Sequence, residues 1–381
     1  MKLQQLKIIH IIPNLAKGGA ERICLDICVE LQKLGHEVIL ILFENINEYE
    51  DISKDISCQL VEISKNFSVR NYESKEFQSL KKIVKEFNPD VVHTHLFAAE
   101  IVWKLTGIKI PSIFHIHDNI KVFHPFKEGV LKKASWVKWY EKTKYSGLLK
   151  TQPTCFLCIS EDTYNFITYH IAQKNGSKIK LIPNAIDTNK FKCQIRSDLT
   201  SINLVTVGSL VLNKGHELLF NVVLELKKLT NKNVSLTVVG DGIEKERLLR
   251  ISKELKIEKN IFFTGKVNNP EEYLRRSNFY IHGSLSESFG LVLIEAMASG
   301  LPVFSTDGGG NRDLIENGRN GYIYSSRNPK RIAKDIYYLS ESISKYTEIA
   351  QSGLDFSQSY DIKEYGENLV QLYNTLIAEK I

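Results

Sequence analysis

The sequence has no run approaching ~18 consecutive apolar residues, so it offers no candidate membrane-spanning helix. It also lacks a strong charge of either sign. Lys and Arg number 50 against 44 Asp and Glu, a formal +6 over 381 residues, which does not mark a nucleic-acid binder. Hydrophobic residues make up 43% and charged residues 25%, a balance that excludes a collagen-like, low-complexity or wholly disordered chain. No Gly-x-Gly-x-x-Gly follows the first strand-like run, which argues against a nicotinamide oxidoreductase. That run, Ile8-Ile9-His10-Ile11-Ile12, is short and has no small-residue cleavage site. It reads as a first strand and not a signal peptide, so a cytoplasmic protein is expected. Cysteines are few. Cys24 and Cys28 share a helix face, Cys58 and Cys193 are isolated, and Cys155 and Cys158 have no second pair to complete a metal site. All are read as ordinary thiols in a reducing compartment.

What is present is alternation. Short β-branched runs alternate with helical patterns, the signature of parallel α/β sheets, and the length suits two domains. Strands are predicted at Lys7–Pro13, Val38–Phe43, Asp90–His93, Ser112–His115, Thr154–Ile159 and Ile179–Ile182, with helices at Ala20–Leu34 and Ser74–Phe87. Residues 187–201 are polar and read as an interdomain linker. A second series follows. Strands are predicted at Ile202–Val207, Val234–Val239, Ile261–Thr264, Phe279–His282 and Pro302–Thr306, with helices at Lys214–Leu229 and Glu244–Leu255. A last helix over about 361–381 is expected to return to the first domain, giving domains of 1–190 and 200–358. Two doubly wound domains bind ligands at the carboxyl ends of their strands, so a central cleft is expected.

Three loops have the chemistry to hold an anion. Gly18-Gly19 lies between the first strand and its helix, Gly208-Ser209 is followed by Lys214-Gly215, and Gly240-Asp241-Gly242 ends a strand. Each suits a phosphate at a helix N-terminus, and each has a plainer reading, a turn for the two glycine loops and a solvated surface lysine for Lys214. The most specific segment is Ser284-Leu-Ser-Glu287-Ser-Phe-Gly290-Leu-Val-Leu-Ile-Glu295-Ala-Met-Ala-Ser-Gly300-Leu-Pro302. A helix beginning near Gly290 puts Glu295 in its second turn, leaning back toward the N-terminus, so Glu287 and Glu295 can face one ligand. Backbone amides and the helix dipole suit phosphates, while carboxylates accept from sugar hydroxyls. A dipole-stabilising Glu beside a surface Glu fits the same spacing. His93 and His95 follow a strand, a position that suits lining the cleft, and are read first as a satisfied polar edge. Asp307-Gly308-Gly309-Gly310-Asn311 is either a phosphate or acceptor loop or a turn.

These motifs together resemble the family 4 retaining glycosyltransferases of GT-B fold. The agreement includes Gly18-Gly19-Ala20-Glu21-Arg22, Asp90-Val-Val-His-Thr-His95, His117-Asp118, Ile159-Ser160-Glu161, Ile182-Pro183-Asn184-Ala185-Ile186-Asp187, Phe263-Thr264-Gly265 and the Glu287-to-Glu295 spacing. The resemblance implies that Glu295 holds a nucleotide's ribose, Glu287 the donor sugar's hydroxyls and Lys214 the diphosphate. It implies that Gly18 and Gly19 approach the reacting end and that His117 sits beside the donor sugar and leaving oxygen. Ser288, Phe289, Gly290, Leu291 and Val292 would cap sugar and phosphate, and Val267 would flank the base. The family's usual Arg is replaced by Ser209, which removes a bidentate phosphate clamp. Arg22, Arg312 and Lys17 are candidate substitutes.

The implied reaction moves a sugar from a nucleotide diphosphate sugar, expected to be a UDP-sugar, to a glycan or lipid-linked hydroxyl with retention. The expected setting is cell-surface polysaccharide or glycolipid synthesis. The chain contains no Asp-x-Asp, so no metal and no other cofactor is expected. Between 121 and 150, eight Lys face only Glu128 and Glu141, with Phe123, Phe126, Trp136, Trp139, Tyr140, Tyr145 and Leu148 interleaved. That mixture suits an anionic membrane surface, or an amphipathic helix packed on its own sheet. The rival readings are a non-catalytic nucleotide-sugar binder, suggested by Ser209, a same-fold sugar-nucleotide epimerase, and a glycosidase using the two Glu.

Overall fold

The computed structural model describes residues 4–63, 75–119, 123, 133–151, 153–171 and 177–379. The chain divides into two compact units, Met1–Asn184 with Ile362–Ile381, and Ala185–Asp361.

The first unit is built on a seven-stranded parallel sheet of order β3-β2-β1-β4-β5-β6-β7. Its strands are β1 (Lys7–Ile12), β2 (Glu37–Leu42), β3 (Ser57–Leu60), β4 (Val91–His95), β5 (Ser112–Ile116), β6 (Cys155–Cys158) and β7 (Lys178–Leu181). The inner strands are nearly continuous apolar runs because helices cover both faces of a parallel sheet. Ile9, Ile11, Val92, Phe114 and Phe156 are all buried. Helix Gly19–Lys33 follows β1, and helix Ile362–Glu379 packs beside it. There Gly366 comes close enough that a Cβ would lie 3.0 Å from Glu30 Cγ.

The second unit has a six-stranded parallel sheet of order β10-β9-β8-β11-β12-β13. Its strands are β8 (Ser201–Val207), β9 (Asn233–Val239), β10 (Ile261–Gly265), β11 (Phe279–His282), β12 (Val303–Thr306) and β13 (Gly321–Tyr324). Both sheets reverse winding beside their first strand, between β1 and β4 and between β8 and β11. The crevice beyond the strand ends at such a point is where α/β sheets bind ligands.

The structure departs from the sequence reading in four places. Residues 187–201 are not a linker. The unit boundary falls at 184/185, and the polar stretch is docked on the second unit. Asp187 caps helix Thr188–Phe191 by accepting from Asn189 N and Lys190 N, Phe191 and Leu199 are buried, and Ile195 packs 3.2 Å from where a Gly300 Cβ would stand. Edge strands β3 and β13 escaped notice because Ser57–Leu60 and Gly321–Tyr324 lack a fully apolar run. His93 and His95 are not a polar edge. They lie inside β4 and are fully buried. Lys214 does not open the helix that follows β8. It ends a 3-10 turn, Leu212–Lys214, and the helix is His216–Leu229. Cys155 and Cys158, three apart on one strand, point to opposite sheet faces, and burial pushes both thiols up to about 12.

Candidate functional site

The site in the second unit starts from two loops that follow adjacent strands. After β8, the chain turns through Gly208 and exposed Ser209 to Lys214 and Gly215. Gly215 has φ +61°, and a Cβ there would meet the Gly283 carbonyl oxygen at 2.0 Å, so glycine is required. After β11, Gly283 leads to Glu287, and helix Leu291–Ala298 begins at Gly290, φ +103°, with no side chain capping it. Its first N–H groups and its dipole are therefore presented to an anion.

Lys214 Nζ lies 2.7 Å from Glu287 Oε2, and His282 Nε2 donates to the same oxygen at 3.0 Å. Burial raises the Glu287 carboxyl, but the His282 hydrogen bond and the Lys214 charge overcome it and hold it down at about 2. Beneath them lies Tyr280, fully buried, whose hydroxyl donates to Val207 O at 3.4 Å. Burial pushes its phenol up, and the nearby charges of Glu295 and Glu287 add to the rise. Neither His282 nor Tyr280 was singled out from the sequence. Their signal was only that they end β11, the strand that carries the Glu287 loop.

The glycine loop after β12 is a scaffold for Glu287. Glu287 N donates to Gly308 O and Gly310 N donates to Glu287 O, both at 2.7 Å. A Cβ on Gly310 would lie 2.0 Å from the Ser288 carbonyl oxygen. Asn311 locks the turn, accepting from Gly308 N and donating to Ser305 Oγ and Thr306 O. Gly240 and Gly242 let the next loop press against the first. Cβ atoms there would lie 2.1 Å from Gly208 O and 2.4 Å from Leu210 O.

Of the remaining predicted residues in this unit, Ser288, Leu291, Val292 and Glu295 are half-buried along the helix start, and Gly290 is buried. Phe289 is buried, its ring 6.0 Å from that of Tyr360. Val267 is half-buried just beyond β10. Of the proposed substitutes for Ser209, Arg312 forks onto Asp307 at 2.7 and 3.0 Å. In the first unit Arg22 is held by Asp26 at 2.7 Å, and the Lys17 ammonium sits 4.9 Å over the Tyr49 ring.

The first unit carries Gly18, Gly19 and His117. Gly18 is clamped by Tyr49, whose hydroxyl donates to Gly18 O at 3.0 Å and stands 3.2 Å from its N–H. Gly19, exposed, opens helix Gly19–Lys33. His117 follows β5 and is half-buried. It tops a stack of histidines set by strand register, with His10 opposite His93 and His95 opposite His115. The ring centroids of His115 and His117 are 4.1 Å apart. Within this stack and beside Cys24 and Cys28, groups of three ligand atoms come within 4.8 Å of one another. Hydrogen bonds join His10 to His95 and His95 to His117, and His93 Nδ1 lies 2.7 Å from the Tyr373 hydroxyl.

Part of the basic, aromatic segment can be described. Residues 121, 122 and 124–132 lie outside the described residues. Helix Lys133–Leu149 buries Tyr145 and Leu149, and the Tyr145 hydroxyl donates to Glu100 Oε2 at 2.6 Å. Its other side leaves Trp136 52% and Trp139 46% exposed, edge to face at 6.1 Å. Among the described residues no helix is long and apolar enough to cross a membrane.

Two doubly wound units with a charged, glycine-built site at a strand switch point define a GT-B type glycosyltransferase. Comparison with known proteins agrees. Residues 17–190 match glycosyltransferase family 4, and residues 187–354 match the glycosyl transferases group 1. The chain belongs to this glycosyltransferase family. An uncharacterised glycosyltransferase of Methanocaldococcus jannaschii is 27% identical over 61% of this chain and 59% of that protein. The alpha-monoglucosyldiacylglycerol synthase of Streptococcus pneumoniae is 26% identical over 77% of this chain and 69% of that protein. The Anabaena protein Alr3699/HepE, crystallised with UDP and glucose, superposes with a TM-score of 0.79 at 18% identity, covering 97% of this chain and all of that one. At that identity the likeness shows the fold.

Proposed function

We propose that this glycosyltransferase uses a nucleotide diphosphate sugar, a UDP-sugar by preference, and transfers the sugar with retention to a glycan or lipid-linked hydroxyl. The observation that carries the reading is the Lys214–Glu287–His282 cluster beside an uncapped helix start. A lysine ammonium bonded once to Glu287 keeps further N–H groups for a diphosphate. Glu287, held ionised, is an acceptor for sugar hydroxyls, and Glu295 for ribose. Ser288 to Val292 present backbone N–H groups to the phosphates, and Val267 flanks the base. Among the first unit's residues, Gly18 and Gly19 are assigned to the reacting end, and His117 to the donor sugar and leaving oxygen.

In the reaction, the bond from the anomeric carbon to phosphate oxygen breaks and a bond to the acceptor oxygen forms on the same face. The acceptor's proton goes to the departing phosphate. Negative charge grows on the diphosphate, and Lys214 with the helix dipole stabilises it. Those fixed positive groups do the work a divalent ion would do, so transfer proceeds without metal. A capable site of this kind is read as a catalyst rather than a binder.

The name of the S. pneumoniae relative describes a lipid product, and the exposed Trp136 and Trp139 beside Lys138 and Lys144 suit an interface with anionic lipid. We therefore place the acceptor on a lipid carrier at the cytoplasmic membrane face, in polysaccharide or glycolipid assembly. The test is mass spectrometry of purified protein with UDP-, GDP- and ADP-sugars in EDTA, with and without lipid-linked acceptor extract. Release of one free nucleoside diphosphate, lost in Glu287→Ala, supports the reading. Donor binding without release in the presence of extract refutes it.

A further inference from the structure

Two buried rings of the first unit, His10 and His95, and the half-buried ring of His117 form a hydrogen-bonded line. His10 Nδ1 lies 2.9 Å from His95 Nε2, and His95 Nδ1 lies 3.0 Å from His117 Nε2. We propose that this imidazole chain locks His117 in its Nδ1–H tautomer, making it a hydrogen-bond donor to the ligand, with His95 and His10 as positioning residues. The proposal rests on the assignment of His117 to the donor end and deepens it.

Burial holds His10 and His117 down at about 3 and His95 well below its ordinary value, so all three rings are neutral at pH 7. A neutral imidazole has one N–H and one lone pair. Two contacts among three such rings therefore allow two arrangements, each fixing every ring. In the first, His10 Nδ1–H donates to His95, His95 Nδ1–H donates to His117 Nε2, and His117 keeps its proton on Nδ1. In the second, every proton sits on Nε2 and the bonds run the other way.

The far end decides between them. His10 is fully buried and its Nε2 has no hydrogen-bond partner. The second arrangement would leave a proton on that nitrogen, a buried donor with nothing to receive it. Orphaned buried N–H groups are the rarer and costlier defect, while a bare lone pair is better tolerated. The surroundings agree, since one ring nitrogen of His10 comes within 4.8 Å of the Cys24 and Cys28 thiols. A thiol is a weak donor suited to a lone pair, and burial keeps Cys24 protonated. The first arrangement follows. His117 then has its basic nitrogen occupied by His95, and it cannot take the acceptor's proton there. Its Nδ1–H makes no hydrogen bond among the described residues and is free to donate to a sugar hydroxyl or to the leaving oxygen.

The test is nitrogen-15 NMR of the full chain with labelled histidine, which distinguishes protonated from bare ring nitrogens directly. His117→Ala assigns the signal. His117 protonated on Nδ1 is expected, and His117 protonated on Nε2 overturns the proposal without any activity measurement. Two variants then read the catalytic consequence with the donor that the nucleotide-sugar panel identifies. His95→Leu removes the donor to His117, and kcat should fall by roughly tenfold, the worth of one neutral hydrogen bond, with donor KM little changed. His95→Asn places an amide N–H where Nδ1 stood and should restore kcat to within about threefold. An equal loss in both variants points to packing alone and overturns the positioning role. If His117→Ala leaves kcat unchanged although the Nδ1–H signal is found, the assignment of His117 to the donor end fails, separately from the chain itself.

Discussion

Replacing Glu287 by Gln removes a charge that the structure holds far from its unfolded preference. The carboxyl is held down at about 2 in the fold, against about 4.3 for a free glutamate. Its side chain is 14% exposed and Lys214 is 27% exposed, so solvent screening of the pair is modest. That lowering is worth about 3 kcal/mol at pH 7. The folded value is the lower one, so this stability is complete above about pH 4.5 and is lost as the pH falls through about 2. Glu287→Gln should therefore cost about 3 kcal/mol at pH 7, and about half of that near pH 3. Urea titrations of both proteins at several pH values, following a probe in the second unit, measure the difference. A two-unit chain need not unfold in one step, so that unit's own transition is the one compared. A stability gap that stays constant from pH 7 to 3 would show that the carboxylate is not held by His282 and Lys214, and the reasoning would fall.

Other changes have equally direct readouts. Glu100 is fully buried, and burial pushes it up to about 7 despite the Tyr145 hydrogen bond. Its folded value is the higher one, so stability is lost as the pH rises from about 4.5 to 7. Glu100→Gln, still accepting from Tyr145, should stabilise by up to about 3 kcal/mol at pH 8 and not at pH 4, as urea midpoints will show. Gly310→Ala drives a methyl group against the Ser288 carbonyl and should cost about 2 kcal/mol while weakening donor binding, checked by thermal shift and calorimetry. Lys214→Met should raise donor KM by roughly tenfold or more, since one charged hydrogen bond to phosphate is lost; an unchanged KM would remove the ammonium from the diphosphate. Trp136→Ser with Trp139→Ser touches exposed groups and should leave the melting temperature unaltered. The same pair should abolish cosedimentation with anionic liposomes at low salt, and retained binding would refute the interfacial role.

How far the sequence could be read depends on the range of the physics. Apolar runs bounded by turn residues located the inner strands of both sheets, because a strand covered on two faces is mostly apolar, as β1, β5 and β11 are apart from Lys7, His10, Ser112, His115 and His282. Edge strands β3 and β13 face no such demand and left no signal. The Glu287-to-Glu295 segment was legible because Gly290 and the helical period fix that geometry within a dozen residues. The neighbours that give Glu287 its properties were not, because Lys214 stands 73 positions away and reaches it only when β8 and β11 pair. The same holds for the histidine line, where His10 and His95 are 85 residues apart and meet only through strand register. The polar stretch 187–201 misled for a related reason. Polarity marks exposure on one side, and the docking of Phe191 and Leu199 on the other is a tertiary fact. Local periodicity and turn chemistry thus determined the fold class and the placement of the loops. Only the pairing of distant strands decided which charges meet, which protons are shared and which nitrogen of His117 is left to donate.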